Sequence, residues 1–188
     1  NLAQIVSEKT MVNAIVALLA TGGSTNHTIH LIAIAKAAGI IINWDDFATL
    51  SSVVPSLTRI YPNGQADINV FHGAGGVPYL IQTLLQGGLL HEDVETIMGH
   101  GLSQYCQEPK LISGKLVWQP APAESANSDV LTSIAEPFSK TGGLVTLEGN
   151  LGRSVAKVSA VKTEHWTVEA EALVFDSQVG FEQAFQAG

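Results

Sequence analysis

The chain contains few charged residues and very little positive charge. Charged side chains make up 14% of its 188 residues, and nine Lys and Arg stand against seventeen Asp and Glu, a formal net charge of −8 at pH 7. Nucleic acids and anionic membranes bind clusters of positive charge, which this composition does not favour. We therefore expect no nucleic-acid or membrane partner, and an anionic ligand requires a local site rather than the overall field of the protein.

Cysteine and long apolar runs are also scarce. Cys106 is the single cysteine, which excludes a disulfide within the chain. The apolar runs around residues 11–20 and 27–42 are shorter than the roughly 18 residues that mark a membrane-spanning segment. No secretion signal is visible, so a cytoplasmic location is expected. The chain begins at Asn1 rather than Met, and we expect it to be a piece of a longer protein.

Residues 21–26, Thr-Gly-Gly-Ser-Thr-Asn, separate two apolar stretches at 11–20 and 27–38. Both stretches are predicted to be buried helices, because they are long and rich in Ala and Leu. The glycine pair allows a tight turn, and the polar residues after it can cap the second helix. The start of a helix exposes unpaired N–H groups that favour an anion. A capped junction between helices that binds nothing remains the alternative.

The region up to about residue 110 is predicted to mix strands with helices. The expected elements are a short buried strand followed by a turn at 40–46, a helix capped by Asp45 and ending before Pro55, a strand at 66–71, a helix at 77–85 and an amphipathic helix at 91–98. Strand 66–71, the glycine-rich turn at 72–76 and the following helix give the strand–turn–helix order of ligand sites in α/β layers. His72 in this turn is the histidine best placed to touch a ligand.

The sequence changes character after about residue 110. A hairpin is expected at 110–118, turning at Ser113-Gly114, and a connector rich in Pro, Ser and Ala follows at 119–128. Short β-like runs then come at 130–134, 144–147, 154–161 and 167–174, before a last helix at 180–187. The predicted fold class is α/β. Residues 1–124 are expected to be part of an α/β layered domain, and residues 125–188 the start of a β-barrel domain.

The remaining candidates for chemistry are weak. His27 and His30 share a helical face and could bind a metal, but a third ligand is missing, and packing or capping remains open. Cys106 is expected to pack rather than react, because no base is adjacent to it in sequence. Lys157 and Lys162 are expected on exposed strand faces. No metal site and no catalytic triad is predicted.

Several glycine-rich motifs together resemble one enzyme family. They are Thr-Gly-Gly-Ser-Thr-Asn at 21–26, His-Gly-Ala-Gly-Gly at 72–76, Lys-Thr-Gly-Gly-Leu at 140–144 and Gly-Asn-Leu at 149–151. This set resembles the dihydroxy-acid and sugar-acid dehydratases. The stretches 43–47, 61–69, 89–94, 107–111 and 149–153 resemble the 6-phosphogluconate branch of that family, and the resemblance covers essentially all 188 residues.

The resemblance implies a homodimeric lyase whose substrate is a small phosphorylated sugar acid. Such an enzyme removes water from 6-phosphogluconate to give 2-keto-3-deoxy-6-phosphogluconate, the first committed step of the Entner–Doudoroff pathway. Family resemblance implies a [4Fe–4S] cluster acting as a Lewis acid in the full-length enzyme, with a divalent cation such as Mg²⁺ as a further candidate. The implied fold is an α/β domain joined to a swivelling β-barrel domain, with the active site between them.

The resemblance assigns no catalytic residue and no metal ligand to this chain. The cluster cysteines of the family are expected before Asn1, Cys106 matches none of them, and the motifs with the metal-binding acid and the serine base are expected after Gly188. Two turns are expected to line the substrate cleft, and the candidate substrate-binding residues are Thr21, Gly22, Gly23, Ser24, Thr25, Asn26, His72, Gly75 and Gly76. A dehydratase of another sugar acid or of a branched dihydroxy acid, a non-catalytic phosphosugar-binding module and a dimerisation segment remain alternatives.

Overall fold

Helices dominate the first half of the chain and short hairpins the second. The computed structural model describes all residues from Asn1 to Gly188. The helices are α1 (Leu2–Ile5), α2 (Glu8–Ala20), α3 (Thr25–Ala37), α4 (Trp44–Val53), α5 (Ile68–Gly73), α6 (Gly76–Gln86) and α7 (Gln178–Ala187). The strands are β1 (Glu95–Thr96), β2 (Gly99–His100), β3 (Gln107–Ile112), β4 (Lys115–Pro120), β5 (Leu144–Gly149) and β6 (Gly152–Lys157).

Each strand pairs only with its neighbour in sequence. The structure contains three antiparallel two-stranded sheets, β1–β2, β3–β4 and β5–β6. Helices and small sheets together are consistent with the α/β class, whereas these three sheets do not form a barrel. No helix combines the length and the apolar character that crossing a membrane requires.

One hydrophobic cluster of 19 buried residues holds the molecule together. Its centre is the apolar face of α2, against which α3 and α4 pack, and α6 and the extended segment 54–60 contribute further buried side chains to it. Leu57 in that segment is fully buried, and its backbone N–H donates to Ala20 O at 2.8 Å. Leu131 and Leu144 belong to the same cluster, so residues on both sides of the expected boundary at 124/125 share one core. The boundary itself stays a prediction.

Much of the expected secondary structure is confirmed. Helices α2, α3, α6 and α7 lie where the sequence predicts them, and β3 and β4 form the expected hairpin around Ser113-Gly114. Both of these turn residues have positive φ, 50° and 76°, as a tight hairpin turn requires. Strand β5 is confirmed as well. The predicted run at 154–161 is a strand only as far as Lys157.

Two predicted strands are wrong because helix caps were not recognised. Residues 40–43 form no strand, and Ile41 is 91% exposed. Asn43, not Asp45, caps α4: its side chain accepts the Asp45 N–H at 2.7 Å, while the Asp46 carboxylate accepts the Asn43 N–H at 2.8 Å. Asp67 likewise accepts the N–H groups of the next helical turn and starts α5 where a strand at 66–71 was expected.

The helix predicted at 91–98 is also wrong. The segment folds into the small β1–β2 hairpin, and side-chain hydrogen bonds compete with a helix there. Asn13 pairs with both backbone groups of His91, at 2.8 and 2.9 Å, and the Glu92 carboxylate accepts the N–H and the hydroxyl of Ser103. Residues 167–174 form no strand, and Leu131 makes only an isolated bridge to Thr58 within 130–134.

Truncation of Leu57 should destabilise the protein strongly. Leu57→Ala in the full-length protein leaves a cavity at the centre of the cluster and should cost about 2–5 kcal/mol of unfolding free energy. Leu57→Met keeps the volume and should cost less than about 1.5 kcal/mol. Thermal unfolding followed by circular dichroism measures the difference. Equal melting temperatures for the two variants contradict this account of the core.

Candidate functional site

The turn between α2 and α3 directs unpaired amide groups outward. Gly22 has φ +58°, and Ser24 caps α3 by accepting the Asn26 N–H at 3.2 Å. The backbone N–H groups of Ser24 and Thr25 have no acceptor in the protein. Ser24 is exposed, so the amides at the start of this 13-residue helix are accessible. The predicted helix start is confirmed.

Side chains from a distant segment fix the conformation of this turn. Thr58 Oγ1 donates to Thr21 O at 2.9 Å, and Asn63 Nδ2 donates to Gly22 O at 2.9 Å. Ser159 Oγ in turn donates to Asn63 Oδ1 at 3.0 Å. The side chains of Thr58 and Asn63 therefore fix the carbonyl groups of Thr21 and Gly22. A Cβ on Gly22 would lie 1.9 Å from Asn63 Nδ2, so both the positive φ and the close approach require glycine here.

A cavity of about 360 Å³ adjoins the turn, and we call it the α3 cavity. Its lining residues are Thr21, Gly22, Gly23, Ser24, Thr25, Ile60, Tyr61, Pro62 and Lys157. The only charged group among them is the ammonium of Lys157, which forms no ion pair. Burial lowers the pKa of Lys157. An ammonium group and free amides at a helix start together suit an oxyanion.

Lys157 is the residue that the sequence reasoning missed. It was expected on an exposed strand face, whereas the structure places it half-buried at the end of β6, lining the α3 cavity. No local sequence signal indicates this, because Lys157 is 95 to 136 positions from the other residues that line the cavity. Lys162, by contrast, is exposed and lies 3.6 Å from the Glu164 carboxylate, although a 3₁₀ turn rather than a strand follows it.

The second predicted turn, at 72–76, follows a helix rather than a strand. Helix α5 ends at Gly73, and Gly75 and Gly76 adopt φ +128° and +56° at the start of α6. The expected strand–turn–helix order is therefore wrong, since Asp67 starts a helix at this point. His72 is exposed, and its Nε2 lies 3.0 Å from the Glu108 carboxylate of β3.

The connector after β4 covers the turn at 72–76. Ala74 O accepts the Ala126 N–H at 3.0 Å and the Ser125 hydroxyl at 3.1 Å. A Cβ on Gly75 would lie 3.2 Å from Pro122 of the same connector. None of His72, Gly75 and Gly76 lines the α3 cavity. Within this chain, the two predicted turns therefore do not share that cavity.

The residues of this chain do not fit an iron–sulfur cluster. Cysteine thiolates hold such clusters, and the chain has one cysteine. Burial raises the pKa of the Cys106 thiol, with a smaller contribution from Glu92. No group of three or more His, Cys, Asp or Glu side chains could hold a metal ion, and His27 and His30 are both exposed on α3.

Comparison with known proteins decides the family. The model described as "Dihydroxy-acid/6-phosphogluconate dehydratase N-terminal" matches residues 1–105, and its C-terminal counterpart matches residues 129–188. The chain belongs to the dihydroxy-acid/6-phosphogluconate dehydratase family. Both matched regions contribute to the α3 cavity, because the turn lies in the first and Lys157 in the second.

Relatives within this dehydratase family extend over the whole chain. It is 58% identical over 187 residues to a phosphogluconate dehydratase of Pseudomonas aeruginosa, covering 100% of this chain and 31% of that protein. Identity to a phosphogluconate dehydratase of Escherichia coli (strain K12) is 57% over 185 residues, 98% of this chain and 31% of that protein. A dihydroxy-acid dehydratase of Caldanaerobacter subterraneus is 38% identical over 186 residues, 98% of this chain and 30% of that protein. The chain thus spans 31% of the length of the two phosphogluconate dehydratases.

Gly22→Ala in the full-length protein should perturb the α3 cavity more than backbone strain alone would. Gly39 also has positive φ, +79°, but a Cβ there meets nothing within 4 Å. Gly39→Ala should therefore show only the strain of a left-handed residue, about 1–2 kcal/mol. Gly22→Ala adds an overlap with Asn63 and should lower both the melting temperature and the affinity for anionic substrate further. Identical behaviour of the two variants overturns the role given to Asn63.

Proposed function

We propose that this chain is the central part of a phosphogluconate dehydratase, a hydro-lyase that removes water from 6-phosphogluconate to give 2-keto-3-deoxy-6-phosphogluconate in the Entner–Doudoroff pathway. The observation that carries the proposal is identity of 57–58% to phosphogluconate dehydratases over 98–100% of the chain. Identity to a dihydroxy-acid dehydratase is 38% over nearly the same residues. The sequence is therefore closer to the branch that acts on a phosphorylated acid.

In this proposal the α3 cavity binds the substrate carboxylate. The free amides of Ser24 and Thr25 and the ammonium of Lys157 supply donors and positive charge on a chain of net charge −8. Removal of the proton next to the carboxylate transfers negative charge onto the carboxylate oxygens. Fixed donors already aimed at those oxygens stabilise this charge better than mobile water does. The turn and Lys157 thus bind the substrate and stabilise the intermediate, while the base lies elsewhere.

The turn at 72–76 is proposed as a second contributor to the substrate cleft of the full-length enzyme. His72 is exposed, and Glu108 at 3.0 Å holds its ring in place. Gly75 and Gly76 allow close approach of backbone to a ligand, as glycines do where no Cβ intervenes. Contact with substrate there depends on parts of the protein outside these 188 residues.

The remaining parts of the proposal concern the full-length protein. Residues 1–124 belong to its α/β domain and residues 125–188 begin its β-barrel domain, with the substrate between them; the lining of the α3 cavity from both segments supports this. In this proposal a [4Fe–4S] cluster is held by residues of the full-length protein outside these 188, which the single cysteine of the chain supports. A divalent cation such as Mg²⁺ is likewise bound by residues outside the chain. The enzyme is proposed to be a cytoplasmic homodimer without nucleic-acid or membrane partners.

Assay of the full-length protein tests the proposal. With its cluster intact, it should convert 6-phosphogluconate to the 2-keto-3-deoxy product faster than it dehydrates gluconate or a branched dihydroxy acid at equal concentration. Faster turnover of an unphosphorylated acid favours a related dehydratase. Binding of 6-phosphogluconate without any turnover by the intact protein contradicts a catalytic role.

Lys157→Met should separate binding from stability. Loss of a charged hydrogen bond to the substrate should lower kcat/KM by about 10- to 100-fold. The melting temperature should be unchanged or higher, because the variant removes a partly desolvated ammonium that has no carboxylate partner. Lys162→Met, which changes an exposed lysine with a carboxylate neighbour, should leave kcat/KM unchanged. If Lys157→Met lowers the melting temperature together with kcat/KM, the role of Lys157 is structural and this proposal for it is wrong.

The pH dependence of substrate affinity should reflect the deprotonation of Lys157. Its lowered pKa means that the ammonium loses its proton at a lower pH than an ordinary lysine does. Affinity for the anionic substrate, measured as 1/KM, should therefore fall with rising pH before ordinary lysines titrate. The fall should be absent in Lys157→Met, and a fall that persists in this variant assigns it to another group.

A further inference from the structure

A second cavity, of about 260 Å³, lies beside the α3 cavity, and we call it the Arg59 cavity. Segments 56–63, 138–143 and 158–166 surround it. Its fourteen lining residues include no Asp or Glu, and Arg59 is the only charged one. In a chain with seventeen acidic and nine basic residues, such a lining makes this cavity locally positive.

Arg59 is held in place without being neutralised. Its guanidinium lies 4.2 Å above the centre of the Phe138 ring, and its backbone N–H donates to Val130 O at 2.9 Å. The side chain forms no ion pair with any carboxylate of the chain. Stacking on an aromatic face fixes the plane of a guanidinium and leaves the N–H groups at its edge free.

Ser56 points to a ligand independently of Arg59. Ser56 lines the cavity, and its hydroxyl makes no hydrogen bond within the protein, although both of its backbone groups do. No fully buried side-chain nitrogen or oxygen of the chain lacks a partner, so this hydroxyl is open to the cavity and free to donate. Further hydroxyls of Ser139, Thr141 and Thr163 line the same cavity. The cavity therefore offers one permanent cation and several hydroxyl donors.

The two cavities are lined by residues that bond to one another or adjoin in sequence. Asn63 donates to Gly22 O beside the α3 cavity and lines the Arg59 cavity. Lys157 lines the α3 cavity, and its neighbour Val158 lines the Arg59 cavity. Two positively charged sites are therefore linked through the hydrogen bond between Asn63 and Gly22 and through the adjacent residues Lys157 and Val158. This arrangement suits a ligand with an anionic group at each end.

We propose that the Arg59 cavity binds the phosphoryl group of the phosphorylated sugar acid, with the carboxylate in the α3 cavity. The inference rests on the proposed function and names the residues that select the phosphorylated substrate. A phosphoryl group has three terminal oxygens and up to two negative charges, which match a guanidinium and several hydroxyls better than a carboxylate does. The N–H groups at the edge of the Arg59 guanidinium and the Ser56 hydroxyl then donate hydrogen bonds to phosphoryl oxygens.

Substrate pairs in the full-length enzyme test this assignment. Arg59→Gln should raise KM for 6-phosphogluconate by about 10- to 100-fold and leave KM for gluconate unchanged, because gluconate has no phosphoryl group. Arg59→Lys, which keeps the charge, should lie between Arg59→Gln and wild type. Arg153→Gln is the matched control, since Arg153 pairs with Asp45 outside the cavity. An equal rise for both substrates, or no rise, overturns the proposal.

A binding measurement separates this inference from the proposed function. Inorganic phosphate titrated into the full-length protein by calorimetry should bind to wild type and to Arg153→Gln, and not to Arg59→Gln. This result supports the phosphate site even if the protein dehydrates no sugar acid. Absence of phosphate binding to wild type overturns it.

Phe138→Leu tests whether Arg59 acts only through packing. The variant removes the stacking partner of Arg59 but keeps the guanidinium, so phosphate binding should persist with a modest loss. If Phe138→Leu loses phosphate as completely as Arg59→Gln while both retain the wild-type melting temperature, the guanidinium is not the ligand and the assignment fails.

Discussion

The hydrogen bonds that join segment 58–63 to the α2–α3 turn are the constraint on which both cavities depend. Thr58 and Asn63 donate to the carbonyl oxygens of Thr21 and Gly22, and the N–H groups of Ser24 and Thr25 that follow have no acceptor in the protein. Isolated β-bridges from Thr58 to Leu131, and from Ser56 just before the segment to Ser139, bring the later part of the chain against it. One extended segment in the core therefore sets the floor of the α3 cavity and a wall of the Arg59 cavity.

Charge placement distinguishes the two cavities from the rest of the surface. Several basic side chains lie next to carboxylates, among them Lys9 beside Asp93 and Arg153 beside Asp45. The Asp45 pair is exposed, and its main effect is a lowered pKa for Asp45 through the hydrogen bond from Arg153. Arg59 and Lys157 have no such partner, and each is the only charged residue lining its cavity. In an acidic protein, an anionic ligand gains the most binding free energy at cationic side chains that lie in cavities and have no carboxylate partner.

The sequence predicts the parts of this structure that local rules control. The apolar helices α2 and α3, the Ser24 cap and the β3–β4 hairpin all follow from composition, capping and turn chemistry. Errors at 66–71 and 91–98 arose because capping by Asp67 and side-chain bonding by Asn13 and Glu92 outweighed the hydrophobic pattern. The Thr21–Asn26 turn was identifiable as a candidate anion site. Lys157 and Ser56 were not, because contacts between residues about 80 to 130 positions apart leave no periodic signal.

Selectivity for a phosphorylated acid follows from the donors and positive charges that have no partner within the protein in each cavity. Without a phosphoryl group, the Ser56 hydroxyl has no protein partner and Arg59 has no counter-charge, so an unphosphorylated acid gains only the contacts at the α3 cavity. A site built to donate hydrogen bonds rejects a ligand lacking the acceptor more strongly than an apolar pocket rejects a smaller ligand. Because Asn63 lines the Arg59 cavity and donates to Gly22 of the α3 cavity, a shift of the α2–α3 turn also moves the lining of the Arg59 cavity. Binding of the two ends of the substrate is thereby coupled through one side chain, which makes the distance between carboxylate and phosphoryl group part of what the protein recognises.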